Sequence, residues 1–421
     1  MKASKPITAL GFNGMNNLPE MPGKLLDDER RITPSFILNA EVTDGGVLIQ
    51  RQGHAKKITL PGAHSLWSGS VMLVVAAGVL YRVEGVTATA IDTVTGPDAR
   101  MTYAEIDNKV FMSTPYWQGI LYLDDMTVRS WGVALPPAPE VSIVSGDMPP
   151  GTYILAYTLA AYGRIGGNGG LTQVTFDGAP QGIKLNNLPS GAQTWVTHPN
   201  GKELFLANVV GGVVTGQVPQ AIPLPSFTVA PPLGFTDFCQ AFGRIWGCAG
   251  KKLSYSDPFQ YEWFRVKNYV PFLEDLIMVA PVTTGLYASS FTSTWYLDGT
   301  EPGKMVMKRV GDGAVPGMMV MAEMPVNLAG GAVLSTIFAT SSKIPTPVWM
   351  SPTGVVVGTH GGNLTHLTEH RLRIVSRTQG ASLYRVREGR PQIIFSISGV
   401  PVAAEDTEIG LIRENGQLFT S

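Results

Sequence analysis

Residues 244–255 read RIWGCAGKKLSY, and residues 286–297, about 42 positions further on, read LYASSFTSTWYL. Each is a short run of alternating apolar and polar positions, a tight break, and a second such run. The first breaks at Gly250-Lys251. Enrichment in Val, Ile, Tyr and Trp suits a half-buried pleated surface, so each reads as a β-hairpin. Working outward, residues 71–83 (VMLVVAAGVLYRV) read as strand, Ala-Gly turn and strand. Residues 110–123 (VFMSTPYWQGILYL) read as two strands about a turn at Gln118-Gly119. Residues 348–357 turn at Pro352-Thr353-Gly354, and residues 364–367 follow a second turn at Gly361-Gly362-Asn363.

The first two hairpins are about 40 residues apart, close to the interval between 244–255 and 286–297. A period of about 40–45 residues with several strands per unit is the spacing of propeller blades. One four-stranded blade cannot bury both of its faces. Radial stacking buries them and leaves only short edges. The expected fold is therefore all-β, a β-propeller. One stretch breaks the period. Residues 136–232 start at Pro136-Pro137-Ala138-Pro139, end at Pro231-Pro232, and hold apolar runs for six or seven strands. That is the size of an immunoglobulin- or fibronectin-like sandwich. The expected organisation is propeller blades in 1–135, an inserted β-sandwich in 136–232, and the remaining blades with closure in 233–421.

Composition narrows the function. The chain has 421 residues, 31 Lys plus Arg against 32 Asp plus Glu, and a formal net charge of -1. A binder of nucleic acid would need a basic surplus. Charged residues are 15% of the chain, against about 25% in ordinary soluble domains, and the mean hydropathy is +0.12. Such a chain buries much of its surface or covers it with partners. Gly (48) and Pro (31) are too frequent for a helical protein, and the apolar content is too high for disorder. Cys239 and Cys248 have no zinc-finger spacing and read as buried free thiols. The N-terminus lacks the apolar core of a signal peptide. The longest apolar run, 71–80, is half a spanning helix. The expectation is a protein without a membrane-spanning segment, folded in a cytoplasm.

Several motifs invite chemistry and fail on context. His366-Leu367-Thr368-Glu369-His370 spells the inverted zinc-protease motif, with His360 nearby. On a helix, both imidazoles would share one face and Glu369 would be the base. The flanks read as strand and turn, where positions i and i+4 lie about 13 Å apart. Residues 163–170 (GRIGGNGG) lack the GK[ST] end of a phosphate loop and read as a flexible β-connection. No G-x-S-x-G elbow occurs. Asp124-Asp125, Glu274-Asp275 and Glu405-Asp406 are neighbours that point to opposite faces of a strand, hence turn residues. No catalytic, cofactor-binding or metal-binding residue is assigned, and the chain is not read as an enzyme.

Contact surfaces are better candidates. Met305, Met307, Met318, Met319, Met321 and Met324 crowd one segment, where Met suits either an irregular core or an interface. Residues 204–236 contain no charge. Arg371, Arg373, Arg377, Arg385, Arg387 and Arg390 face one acid, Glu388, and read as solvated strand faces. Trp67, Trp117, Trp131, Trp195 and Trp263 could stack on sugars, which would make the chain a carbohydrate- or receptor-binding propeller, although Trp in hairpins more often packs cores.

Phe242-Gly243-Arg244-Ile245-Trp246, followed by Leu253-Ser254-Tyr255-Ser256-Asp257-Pro258-Phe259, resembles an element of β-propeller virion proteins of tailed bacteriophages. Tyr287 with Trp295-Tyr296-Leu297-Asp298-Gly299 resembles their next strand pair. Further resemblances, in order, are Gly313-Ala314-Val315-Pro316-Gly317, Val357-Gly358-Thr359 with Asn363-Leu364-Thr365, and Gly380-Ala381-Ser382-Leu383-Tyr384-Arg385. Gly151-Thr152-Tyr153 and Pro199-Asn200-Gly201 resemble a sandwich module common in phage structural proteins. The likeness spans about residues 100–395 and is similar to tail nozzle proteins of short-tailed phages. His370 stands where that family often has a charged residue, which makes the zinc motif accidental. The resemblance implies a structural subunit of the virion tail, assembled in the host cytoplasm. It implies a homo-oligomeric ring, a hexamer for a nozzle, that meets the portal adaptor and other tail proteins. The ring would continue the channel that retains and conducts the genome. A net charge near zero suits a lumen through which DNA slides without sticking.

Overall fold

A computed structural model describes residues 57–326, 329, 342–368, 379–387 and 390–398, with the backbone alone of a few short strands elsewhere. The chain is all-β in character, built from antiparallel sheets of which several have four strands. It divides into two compact units, Pro61–Leu273 and Met1–Leu60 with Glu274–Ser421.

In the Pro61–Leu273 unit, sheet 1 runs in sequence order through Ala63–Ser68, Met72–Ala76, Val79–Glu84 and Thr87–Thr93. Sheet 2 does the same through Thr102–Ile106, Lys109–Ser113, Gln118–Tyr122 and Thr127–Ser130. Sheet 3 joins Asp237–Ala241, Arg244–Ala249, Lys252–Asp257 and Gln260–Pro271, with Val229–Ala230 added beside the last. Local chemistry makes the turns. Ala77-Gly78, Asp107-Asn108, Tyr162-Gly163 and Phe242-Gly243 each join two strands, and both residues of each pair have positive φ. That is the two-residue turn whose twist matches the strands it connects.

The turn expected at Gln118-Gly119 lies elsewhere. Gln118–Tyr122 is strand, and the chain reverses over 114–117. The Thr114 hydroxyl accepts from the Tyr116 and Trp117 amides at 3.1 and 2.9 Å, and the Thr114 amide donates to the Trp117 carbonyl at 2.7 Å. A hydroxyl that captures amides ahead of it, next to Pro115, outweighs the Gly signal five residues later.

Sheet 2 is covered on both faces, and the period of two sorts its side chains. Val110, Met112 and Leu121 pack with Leu73, Val75 and Leu80 of sheet 1. Phe111 and Ile120 point the other way, into Trp131, Phe235, Phe238, Ile245 and Phe264. Three sheets thus stack face to face in chain order, with an aromatic core between the second and third. Between them in sequence lie two further sheets. One pairs Val141–Met148, Gln181–Leu185 and Val213–Val214; the other centres on Gly151–Ala161. They share one core, in which Met148, Ile183, Leu185 and Val214 meet Tyr153, Leu155, Tyr157, Phe176 and Val196.

In the other unit, sheet 4 runs through Met278–Val282, Gly285–Ser289, Ser293–Asp298 and Val306–Asp312. Sheet 5 runs through Met319–Pro325, Lys343–Ser351, Gly354–Gly358 and Leu364–His366. Trp349 and Val356 of sheet 5 meet Tyr287 and Tyr296 of sheet 4. Val348 and Val357 point oppositely, towards Tyr384, Ile393 and Phe395 of the hairpin Gln379–Arg387 and Arg390–Ser398. Sheet 5 is again covered on both faces.

Candidate functional site

The residues singled out from sequence fall mostly into the framework. His366 ends the strand Leu364–His366, paired with Val356. Glu369 and His370 lie outside the described residues, as do Arg371, Arg373, Arg377 and the pair Glu405-Asp406. His360 is buried, 2% exposed, and held on both ring nitrogens. The Thr283 amide donates to Nδ1 at 3.0 Å, so Nε2 carries the proton and faces the Pro345 carbonyl at 3.1 Å. Burial holds its pKa below the ordinary 6.5, outweighing the Pro345 contact that raises it.

The neutral ring is thus the form this site accepts. Because its folded pKa is lowered, the stabilisation is complete above about pH 6.5, where the unfolded imidazole is also neutral, and shrinks as pH falls, because the unfolded chain takes up the proton first. Chemical denaturation at pH 7.5 and pH 5 should show a stability loss that is smaller in His360→Gln. Equal losses in both proteins would show that another group carries the pH dependence.

Cys239 and Cys248 are buried free thiols, and burial raises both well above the ordinary range, with Asp237 adding to the effect. Asp125 closes a turn, and hydrogen bonds from the Thr127 hydroxyl and amide hold its carboxyl below the usual range. Glu274 is lowered in the same way by the Ser290 and Thr292 hydroxyls. The 163–170 segment is not a flexible connection. Arg164–Asn168 is a strand paired with Gly151–Ala161, and its glycines let other backbone approach. A Cβ on Gly167 would lie 1.7 Å from the Val229 carbonyl oxygen. Among the methionines, Met318 and Met324 are core, whereas Met307 is exposed. Trp131 and Trp195 are buried, Trp67 stacks on Tyr103 at 5.5 Å, and Trp117 packs between sheets 1 and 2.

Trp263 is different: it lines a cavity of about 320 Å³ within the Pro61–Leu273 unit. Three hairpins converge there: the Asp107-Asn108 turn of sheet 2, the Tyr162-Gly163 turn, and the 259–263 end of sheet 3. Glu262 sits among them, 14% exposed at its side chain. It accepts from Arg164 Nη1, and its other oxygen is 3.8 Å from Lys109 Nζ. Arg164 also reaches the Ser130 carbonyl at 3.2 Å, while its Nη2 is buried without a partner. The Arg129 guanidinium lies over the Tyr122 and Tyr162 rings, 4.2 and 4.7 Å from their centres. Phe259 stands 76% exposed at the rim. The lining combines aromatic side chains with two cations, Lys109 and Arg164, and two carboxylates, Asp107 and Glu262. Sequence reasoning missed Lys109, Arg164 and Glu262, since no local pattern links them.

No family model matches the sequence, and no curated protein matches it. Several solved structures are similar to it over much of its length. The BBS1N chain crystallised with ARL6DN is 8% identical, covering 80% of this chain and 92% of that one at a TM-score of 0.28. The N-terminal domain of Nup159 is 8% identical, covering 80% and 73% at 0.31. AztD of Citrobacter koseri is 14% identical, covering 86% and 90% at 0.25. At such scores these likenesses assign neither a family nor a function.

Proposed function

We propose that the chain is a structural subunit of a bacteriophage tail. Its sheets act as blades of a β-propeller, with 136–232 as an inserted immunoglobulin-like sandwich. Copies associate into a ring, in contact with the portal adaptor and other tail proteins, that continues the genome channel. Several features support this reading. Within each unit one sheet, sheet 2 in the first and sheet 5 in the second, buries both faces against its neighbours, as a blade does. Gly132 and Pro231 touch, so that a Cβ on Gly132 would lie 3.1 Å from the Pro231 Cα. An insertion that leaves and rejoins its host at neighbouring points has this geometry.

The observation that carries the assembly is exposed apolar surface in a stretch free of charge. Within 204–236, Val210 is 73%, Ile222 81% and Leu233 65% exposed. In the other unit, Val306 is 67% exposed. Such side chains mark a contact where they form one contiguous patch, and head-to-tail contacts that close by rotation make a ring. Met319 is half-buried against the core of sheets 4 and 5, so the exposed Ile222 and Val306 are the sites at which to test association. Ile222→Glu and Val306→Glu should leave the subunit folded and abolish its assembly with a tail fraction, read by light scattering and electron microscopy. A wild type that stays monomeric with its neighbouring tail proteins present would refute the ring.

A further inference from the structure

The two sheets that share the core of Met148, Tyr153 and Phe176 are unequal. The one centred on Gly151–Ala161 has five strands; the other has three, of which Val213–Val214 is only two residues long. Val141–Met148 ends the smaller sheet and pairs with Gln181–Leu185 alone, so that among the described residues no strand covers its other edge. Ile143 stands opposite Ile183 and Val141 opposite Leu185, which turns all four towards the shared core. Ile183 and Leu185 are buried there, yet Ile143 is 49% exposed. Across the core, Thr172–Phe176 is an edge strand of the larger sheet, and its Thr172 hydroxyl donates to the carbonyl of Pro139, just ahead of Val141. It too has apolar side chains left uncovered: Val174 is half-buried against the core, and Leu171 beside it is 47% exposed. The core is open along this side, where the smaller sheet stops a strand short.

A free strand edge is a template for another strand, and proteins guard it with Lys, Pro or a bulge. Residues 141–145 (VSIVS) have none of these, and the register shift in their pairing comes only after Ser145. A charged partner would find no counter-charge along this stretch, whereas a second copy of the chain has the same deficit. Paired antiparallel with itself about Ile143, the strand has its two-fold axis perpendicular to the sheet, so the core faces of both copies stay on one side. Val141 then faces Ser145 of the second copy, Ser142 faces Val144, and Ile143 faces Ile143. No charge meets another at any of these pairs, and each Ile143 covers the open core of the other copy. We propose that two copies of the chain join edge to edge along Val141–Met148, making one continuous sheet over a joint core. This contact is two-fold, unlike the head-to-tail contacts of a ring, and does not depend on them.

The test is analytical ultracentrifugation of the full chain. At about 100 μM, a concentration that populates even a modest contact, the wild type should sediment at twice the 45.1 kDa of one chain. Ile143→Lys should be monomeric there. Val86→Lys, at a 69% exposed turn position of sheet 1, should dimerise as the wild type does, and so should Ile222→Glu and Val306→Glu. Ile143→Cys gives a readout that does not depend on losing anything. Facing Cα atoms across the two-fold lie about 4.5–5.5 Å apart, within disulfide reach. With oxidised glutathione as the electron acceptor, this variant should become a disulfide-linked dimer. Val86→Cys, and the wild type with its two buried cysteines, should stay unlinked. A wild type that is monomeric at about 100 μM would overturn the proposal. So would a dimer that survives Ile143→Lys, a dimer abolished by Ile222→Glu or Val306→Glu, or an Ile143→Cys chain that links no faster than Val86→Cys.

Discussion

Replacing Trp131 with alanine is expected to remove about 3–5 kcal/mol of unfolding free energy, the range for deleting a large aromatic from a core. Trp131 is 1% exposed. Its ring lies 5.1 Å from Phe111, 5.2 Å from Phe238, 5.7 Å from Phe235 and 6.1 Å from Phe264, centre to centre. Those partners come from sheet 2, from sheet 3 and from the segment leading into sheet 3, so the cavity left behind would open between two sheets. The indole N–H also donates to the Tyr261 carbonyl at 3.0 Å, which the variant leaves without that partner. Trp131→Phe should recover much of the packing and none of the hydrogen bond. Urea denaturation followed by fluorescence of the other tryptophans measures both. A loss under about 1 kcal/mol for alanine, the size of an average substitution, would contradict the central place given to this ring.

Gly167→Ala should be nearly as harmful, although it adds a single methyl group. The new Cβ would sit 1.7 Å from the Val229 carbonyl oxygen and 2.6 Å from its carbon. These are backbone atoms of a strand that is itself paired with Gln260–Pro271, so they cannot turn aside as a side chain would. The strands Arg164–Asn168 and Val229–Ala230 must part. Overpacking of this kind costs about 1–3 kcal/mol, and backbone displacement puts this site at the upper end. Ser226, whose hydroxyl donates to the Gly166 carbonyl at 2.7 Å, would lose its bond as well. Gly216→Ala is the control, since nothing lies within 4 Å of the added carbon. Equal thermal stability of the two variants would show that the close approach is not a constraint.

The legible part of this protein is the part written locally. Ala77-Gly78 and Gly250-Lys251 could be placed as turns because apolar-polar alternation on each side and a residue tolerant of positive φ are properties of a few neighbouring residues. The strand-rich class follows from the same signals repeated along the chain. Where a local signal competed with another, the reading failed. Gln118-Gly119 looked like a turn, but the Thr114 hydroxyl closes the reversal four residues earlier. The run 163–170 looked like slack because glycine permits it, and nothing nearby in sequence reveals that Val229 lies against Gly167.

Sequence by itself determined the all-β class, the position of most hairpins, and the scarcity of charge that makes an isolated surface unusual. Tertiary structure alone decided which face of each strand meets which neighbour. Phe111 and Val110 are adjacent and equally apolar, yet they belong to different cores, because a strand covered on both sides has no polar face to mark its direction. Tertiary structure alone also made the cavity. Arg164 and Glu262 are 98 residues apart, and Lys109 comes from a third hairpin. Their meeting depends on how three hairpin tips converge, a consequence of long-range packing for which no spacing in the chain is a sign.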